Sequence, residues 1–390
     1  MTDPRLTCTE CGFAQPVNHA GLECVECARP LRVEVDVPAV GGSLNAVTRP
    51  GTRGLWKFGP LLPFADSVDP VTLGEGGTPT VLLDNWGGLI GVPNVYAKLE
   101  YASPTGSFKD RGSATLVTRL RELGVRKAVE DSSGNAGASV AAYCAKAGVE
   151  AVIFAPESAP AAKLTQIQVY GADLQLIPGA RENATNAARE AAQAPDTAYA
   201  SHNLHPYFIE GTKTFAYEFL EGFVDNGAMP DHVVIPVGNG SLYLGAAKGF
   251  RELAAAGFEF VSPRLHLVQV EACAPLAEAA RAGLDGPTEV APQLTIAGGI
   301  SVGQPPRGRE VLRTLRDSGG AAVTVSERAV WDARLELAEQ EGLFIEPTSA
   351  AAFAGVRQLA GVGVIQAGDS VLVAVTGAGL KDPQPAEPAG

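Results

Sequence analysis

Short apolar runs that alternate with alanine-rich helical stretches constrain this chain more than any other feature. Strand-like runs occur at 127–130, 151–154, 174–177, 232–236, 265–270 and 371–375. Helical patterns follow several of them, at 138–147, 163–170, 183–192 and 242–255. A strand, a crossover helix and a second strand are typical of a parallel sheet covered on both faces. The sequence therefore predicts an α/β protein.

Length and charge narrow the classes of function. The chain has 390 residues, enough for one large or two medium domains. Its net charge of −13 disfavours nucleic acid and anionic membrane surfaces as partners. We find no uninterrupted apolar run long enough for a transmembrane helix, and residues 1–8 lack the apolar segment of a secretory signal. We therefore expect a cytoplasmic protein.

Four cysteines near the N-terminus have the spacing C-x2-C-x12-C-x2-C. Two close pairs of thiolates can close a tetrahedral zinc site, and a disulfide framework is disfavoured in the cytoplasm. The alternative is four unrelated free cysteines. Because acidic and basic residues are mixed around them, the segment is not a basic nucleic-acid patch, so we predict a small structural zinc ribbon. Its ligands would be Cys8, Cys11, Cys24 and Cys27. Cys144 and Cys273 have apolar neighbours and are expected in the core.

One lysine lies where a helix is expected to begin. Pro104 to Gly106 breaks regular structure, Ser107 is a candidate helix cap, and Lys109 opens the helical pattern that follows. Positive charge is unfavourable at a helix N-terminus, which favours the neutral amine that can act as a nucleophile or form an imine. The alternative for any single lysine is a solvated side chain on an exposed turn.

A polar turn follows the strand at 127–130. Ser132, Ser133, Gly134, Asn135 and Ala136 lie between that strand and a helix, where backbone N–H groups and hydroxyls can surround a small anion such as a substrate carboxylate. A capped helix without a ligand is the alternative.

Two glycine-containing loops follow later strands. The first contains Gly238, Asn239, Gly240 and Ser241, and such a turn lets the backbone approach a phosphate closely. A nicotinamide-dinucleotide loop is an alternative, although the third glycine of that fingerprint is missing. The second loop begins at Thr376, which can offer a hydroxyl to a ligand beyond the strand end.

These pieces together match the needs of one cofactor. Pyridoxal 5'-phosphate requires an amine for its aldehyde, a cradle for its phosphate and a partner for its ring nitrogen. A dehydrogenase and a non-catalytic zinc-ribbon binding protein remain the other two hypotheses.

The chain resembles the threonine synthases, within the tryptophan-synthase-β-like (fold type II) pyridoxal-phosphate enzymes. The matching stretches cover most of residues 55–382 and read PTGSFKDRG, SSGNAGAS, EGTKTFAYE, PVGNGS, EPTSAAA and TGAGLKD. The resemblance implies that Lys109 is the Schiff-base lysine and that Asn135 bonds the ring hydroxyl of the cofactor. It implies that residues 238–241 hold the cofactor phosphate and that Thr376 faces the pyridine nitrogen.

The resemblance also implies a reaction and a domain plan. The reaction turns O-phospho-L-homoserine and water into L-threonine and phosphate. The plan is a zinc ribbon followed by two three-layer domains with parallel sheets, and family members are commonly homodimers. The segments would be the ribbon at 1–34, a large cofactor-binding domain at 35–110 and 204–382, a small mobile domain at 111–203, and a tail at 383–390.

The chain departs from the family pattern at two positions. Many threonine synthases have an arginine that helps to hold the substrate phosphate where this chain has Phe208, and a histidine where it has Ala378. A phosphate dianion needs other donors in a closed site. Candidates are Lys163, His202, Asn203, Lys213 and Arg307. The alternative function is β-elimination or β-replacement on a serine- or threonine-like amino acid, for example by an ammonia-lyase.

Overall fold

The structure is a computed structural model, and it describes residues 4–19, 21–159, 161–179, 181–221 and 229–382. The predicted tail at 383–390 lies outside these residues. Packing divides the chain into two compact units. Unit 1 contains the described residues of 1–77, 103–217 and 251–258, and unit 2 contains those of 78–102, 218–250 and 259–390.

Strands form where the apolar runs were predicted, with additional short ones. Their bounds are β1 (Arg5–Cys8), β2 (Ala14–Gln15), β3 (Leu31–Glu34), β4 (Thr80–Leu82), β5 (Val95–Lys98), β6 (Lys127–Glu130), β7 (Glu150–Pro156), β8 (Asp173–Ile177), β9 (Thr197–Tyr199), β10 (His232–Pro236), β11 (Arg264–Val270), β12 (Ala322–Val325) and β13 (Val371–Ala374).

Helices connect most of these strands. Their bounds are α1 (Leu44–Val47), α2 (Asp84–Ile90), α3 (Lys109–Glu122), α4 (Asn135–Ala147), α5 (Ala161–Val169), α6 (Arg181–Ala191), α7 (Pro206–Thr212), α8 (Thr214–Tyr217), α9 (Ser241–Ala255), α10 (Pro275–Arg281), α11 (Gly308–Asp317), α12 (Glu327–Glu341) and α13 (Pro347–Gly361). Short 3-10 turns cover Gly54–Leu61, Glu100–Ala102, Gly298–Ile300 and Gly379–Lys381.

Unit 1 holds two sheets. Within the described residues, β8-β7-β6-β9 form a parallel sheet, and β2-β1-β3 form an antiparallel sheet that contains the cysteine segment. The parallel sheet contains the predicted strands at 127–130, 151–154 and 174–177. Leu6, Leu31 and Val33 bury the small antiparallel sheet against the core that includes Leu116 and Tyr207.

Unit 2 is built on a larger sheet with the order β12-β11-β10-β13-β5-β4 among its described strands. All neighbouring pairs are parallel except β4 with β5. Helix α13 packs on this sheet closely, because a Cβ on Gly355 would lie 2.4 Å from Cγ2 of Val268. The α/β class, the parallel sheets and the small N-terminal sheet are therefore as predicted.

The predicted domain boundaries remain a prediction. Residues 35–77 and 204–217 pack within unit 1, whereas the sequence analysis assigned them to the large domain. The two units are defined by contacts between residues. The predicted small domain is instead a segment expected to move as a body, which the contacts do not report.

Candidate active site

The loop that carries Lys109 is held by the residue that follows it. The Asp110 carboxylate accepts hydrogen bonds from the Thr105 backbone N–H (2.7 Å) and hydroxyl (2.5 Å), and from the Ser139 hydroxyl (2.6 Å). Asp110 is fully buried, and negative charge in the first turn of α3 is favourable. The predicted cap is wrong: the hydroxyl of Ser107 is buried without a hydrogen-bond partner among the described residues, and Asp110 fastens the loop instead.

The Lys109 amine lies among aromatic rings at the start of α3. Its Nζ atom is 4.6 Å from the centre of the Phe108 ring and 5.7 Å from that of Phe208. Phe208 reaches this position because Gly112 has no side chain, since a Cβ there would lie 2.4 Å from the Phe208 ring. The lysine is therefore held against aromatic faces rather than on a solvated turn.

The polar turn at 132–136 lies in the same unit as Lys109. Gly134 donates its N–H to the Ser132 hydroxyl (3.3 Å), and α4 begins at the next residue, Asn135. Gly137 allows the turn to close, because a Cβ there would lie 1.8 Å from the Ser132 carbonyl oxygen. The bond from Ser139 to Asp110 links this helix to the lysine loop, so unit 1 brings Lys109 and the predicted anion turn together.

A glutamate and a histidine form a buried pair near the carboxyl ends of β6 and β9, in the parallel sheet of unit 1. Oε1 of Glu130 lies 2.7 Å from Nδ1 of His202, and Oε2 accepts the His202 backbone N–H at 3.1 Å. Burial raises the pKa of Glu130 well above its usual range, and burial lowers the pKa of His202 well below its own. Both shifts favour the uncharged form of each partner.

The glycine loop of unit 2 is closely packed and precedes a helix. It joins β10 to α9, and the first-turn N–H groups of α9 have no partners within the helix. A Cβ on Gly238 would meet Val302 at 3.0 Å and the Gly299 carbonyl oxygen at 3.1 Å, and Gly240 has a φ of +85°. Asn239 and Ser241 complete the loop. These residues fit the phosphate group of the expected cofactor.

Thr376 lies at the same edge of the large sheet, since β10 and β13 are parallel neighbours. Its hydroxyl donates to Oε1 of Glu346 (2.9 Å) and lies 3.0 Å from the Ser349 hydroxyl. Thr376 is buried, and it faces other polar groups rather than an apolar wall.

Lys213 and Arg307, two of the candidate phosphate donors, are engaged by carboxylates. Lys213 is fully buried, and its ammonium bonds Glu210 (2.6 Å), Glu252 (2.9 Å) and the Leu61 carbonyl (2.9 Å). Two carboxylates and a carbonyl oxygen therefore already surround this ammonium. Arg307, also buried, bonds Glu310 at 2.9 Å with one of its nitrogens.

The four N-terminal cysteines converge. Their sulfur atoms all lie within 4.8 Å of one another, with contacts of 3.4 Å (Cys8 to Cys27), 3.5 Å (Cys27 to Cys11) and 3.7 Å (Cys11 to Cys24). Tetrahedral zinc with bonds of about 2.3 Å places its sulfur ligands about 3.8 Å apart. The cluster therefore fits a structural zinc ion. Cys144 and Cys273 are buried, as expected.

Sequence reasoning missed several supporting residues: Asp110, Glu130, Glu346 and Ser349. Asp110, Glu346 and Ser349 lie inside quoted motifs, so position was an available signal for them, whereas Glu130 lies outside every quoted motif. Their partners lie far away in sequence, and no spacing rule reveals those.

Comparison with known proteins agrees with this arrangement. The family described as pyridoxal-phosphate dependent enzyme matches residues 71–377. A threonine synthase of Methanosarcina acetivorans is 34% identical over 380 residues, which are 97% of this chain and 92% of that protein. A threonine synthase of Bacillus sp. is 38% identical over 335 residues, covering 85% and 91%.

Solved structures share the fold. A threonine deaminase from T.th. has a TM-score of 0.66 and 27% identity, and the match covers 77% of this chain and 92% of that one. A fungal L-serine ammonia-lyase from Rhizomucor miehei has a TM-score of 0.68 at 22% identity, covering 80% and 95%, which supports the fold alone.

These matches decide between the earlier hypotheses. The dinucleotide interpretation of the loop at 238–241 is wrong, and the chain is an enzyme for a small-molecule substrate rather than a non-catalytic zinc protein. Among the described residues, no helix has both the length and the apolar character needed to cross a membrane. The chain belongs to the threonine synthase family of pyridoxal-phosphate-dependent lyases.

Proposed function

We propose that this protein converts O-phospho-L-homoserine and water into L-threonine and phosphate. The observation that carries the proposal is the match to named threonine synthases over nearly the whole chain, at 34% identity and 97% coverage. The lysine at the start of α3 and the glycine loop before α9 support the proposal, because they offer an amine and backbone N–H groups.

We propose that Lys109 binds the cofactor aldehyde and that Asn135 bonds the ring hydroxyl. Residues Gly238, Asn239, Gly240 and Ser241 hold the cofactor phosphate, and Thr376 faces the pyridine nitrogen. When bound, pyridoxal phosphate withdraws electrons from the carbon atoms of the amino acid. Ser132, Ser133, Gly134 and Ala136 then bind the substrate carboxylate at the N-terminus of α4.

Lys109 would also act as a base, when its amine is not bound to the cofactor. Its free amine takes and returns protons at the α and β carbons, which requires a base of adjustable charge close to both. The aromatic rings of Phe108 and Phe208 hold the amine in place and keep water away from it. Lys109 is thus proposed as the catalytic residue.

Oxygen labelling tests this reaction. In water enriched in ¹⁸O, the proposed chemistry places one heavy oxygen in the threonine hydroxyl and none in the released phosphate, because the carbon–oxygen bond breaks. A phosphatase would place the label in phosphate by breaking the phosphorus–oxygen bond. Labelled phosphate without labelled threonine would refute the proposal.

One observation favours a second candidate function. Phe208 is fully buried beside Lys109, at the position where many family members have an arginine for the substrate phosphate. An apolar wall suits a substrate without phosphate, such as serine or threonine, which an ammonia-lyase converts into a 2-oxo acid and ammonia. Detection of a 2-oxo acid from threonine, with no turnover of the phosphate ester, would favour this alternative.

We also propose that the four N-terminal cysteines bind a structural zinc ion. Metal analysis of the purified protein would give one zinc per chain, and loss of that zinc in Cys24→Ser would assign the site. Thiols available for zinc suit a reducing compartment, so we propose a cytoplasmic location. We propose a homodimer from the family resemblance, and light scattering tests it.

A further inference from the structure

Glu130 and His202 lie where ligands bind in proteins of this class. Glu130 is the last residue of β6, and His202 follows β9, which is the parallel neighbour of β6. Ligands bind beyond the carboxyl ends of parallel strands. The pair is thus placed at the functional edge of the unit 1 sheet.

Two contacts fix the orientation of the imidazole. The carboxyl group of Glu130 holds the His202 ring through Nδ1 (2.7 Å) and the His202 backbone through its N–H (3.1 Å). The Glu130 side chain has no exposed surface, and that of His202 is 5% exposed. With Nδ1 engaged, Nε2 is the nitrogen left to meet a ligand.

Phe208 connects this pair to the lysine. The Phe208 ring meets the His202 ring edge-on, with 6.0 Å between their centres, and it lies 5.7 Å from Nζ of Lys109. The imidazole and the amine therefore both lie against the ring of Phe208.

The surroundings favour the uncharged form of both partners. Burial is the main cause that raises the pKa of Glu130, and the neighbouring Asp131 adds to it. The His202 backbone N–H and the charges of Lys109 and Arg181 act in the opposite direction but do not reverse the shift. Burial also lowers the pKa of His202, and the positive charges of Lys109 and Arg181 lower it further. In the uncharged pair the Glu130 O–H donates to Nδ1 of His202, so Nε2 carries a proton.

The proposed reaction needs such a proton. When the carbon–oxygen bond of a phosphate ester breaks, both bonding electrons go to the departing oxygen. That oxygen must take up a proton to leave as hydrogen phosphate rather than as the trianion. Phe208 cannot supply a proton.

We propose that His202 is the general acid for the leaving phosphate and that Glu130 is its proton reserve. His202 gives the Nε2 proton to the departing oxygen as the carbon–oxygen bond breaks, and Nδ1 takes the Glu130 proton. The pair ends as a Glu130 carboxylate facing an Nδ1–H imidazole, one proton poorer, and a proton from water restores it. This inference rests on the proposed phosphate-ester substrate.

The test compares two leaving groups. Glu130→Gln keeps a donor to Nδ1 and an acceptor for the His202 N–H but has no proton to transfer, and His202→Gln removes the acid. We expect each variant to lose about 10²- to 10⁴-fold in turnover of O-phospho-L-homoserine. With 2-amino-4-chlorobutanoate, whose chloride leaves without a proton, turnover stays within a few-fold of wild type. Equal losses with both substrates would overturn the acid role.

A spectroscopic readout is independent of turnover. Full-length protein labelled with ¹⁵N at histidine reports which ring nitrogen of His202 carries hydrogen, and His202→Gln assigns the signal. We expect the Nε2–H form in both wild type and Glu130→Gln. An Nδ1–H form in wild type would overturn the inference. Failure of wild type to release phosphate would instead remove the proposed function, and this inference with it.

Discussion

Nζ of Lys109 lies 5.7 Å from the centre of the Phe208 ring, against which Gly112 also packs. The resemblance to threonine synthases implies an arginine at this position, and the chain instead has an aromatic ring beside the lysine. The Phe208 ring positions the Lys109 amine but cannot bind a phosphate. Other residues must therefore bind a substrate phosphate.

Replacing the lysine should separate cofactor attachment from folding. In Lys109→Ala, we expect loss of covalently held cofactor and loss of turnover, because no other amine replaces Lys109 at this position. Borohydride reduction followed by peptide mapping measures the attachment. Lys127→Ala, on a half-exposed strand residue, is the control and should keep both. Cofactor found on another lysine in wild type would contradict the assignment.

The contact between Gly112 and Phe208 should be sensitive to one methyl group. In Gly112→Ala the new Cβ would lie 2.4 Å from the ring, so we expect a loss of about 1–3 kcal/mol in the free energy of unfolding. Urea denaturation measures it, and adding Phe208→Leu should recover part of the loss. Gly88→Ala, with open space around its Cβ, is the control. Equal stability of Gly112→Ala and wild type would show that the ring is not packed there.

The buried Lys213 should stabilise the fold by pairing with two carboxylates. We expect Lys213→Met to lose about 3–5 kcal/mol, because Glu210 and Glu252 would be buried without their cation. Burial alone lowers the pKa of Lys213, but the two carboxylates raise it above its ordinary value overall.

The raised pKa of Lys213 determines how its contribution to the free energy of unfolding depends on pH. A raised pKa gives stabilisation that is complete below the ordinary lysine pKa and is lost as pH rises through the folded value. The stability difference between wild type and Lys213→Met should therefore be constant near neutral pH and shrink in alkali. Urea titrations across that range measure it, and a difference that grows in alkali would contradict the assignment.

Removing the metal should loosen the small antiparallel sheet. Cys8 and Leu31 are register partners in that sheet, so ligand geometry and strand pairing depend on each other. We expect a chelator to lower the melting temperature of wild type, reflecting a contribution of several kcal/mol. The same chelator should not affect Cys24→Ser, which starts at the lower value. An unchanged wild-type melting temperature would count against a structural zinc.

The buried apolar strands were predictable, but the short ones were not. Strands such as β10 are buried throughout, whereas β4 and β9 have three residues each and partly exposed patterns. They form because the sheet edge offers them a partner, and no local propensity reveals that. The Lys109 and Gly238 loops were visible as motifs. The pairing of Glu130 with His202 was not, because α4, β7, α5, β8, α6 and β9 lie between them in the chain.

A paired product assay tests most directly whether the protein has threonine synthase activity. Purified protein with pyridoxal phosphate is given O-phospho-L-homoserine, and threonine and phosphate are measured in the same sample. We expect equal amounts of threonine and phosphate from wild type, and neither product from Lys109→Ala. Bound cofactor with no phosphate release, together with a 2-oxo acid formed from threonine, would contradict this expectation.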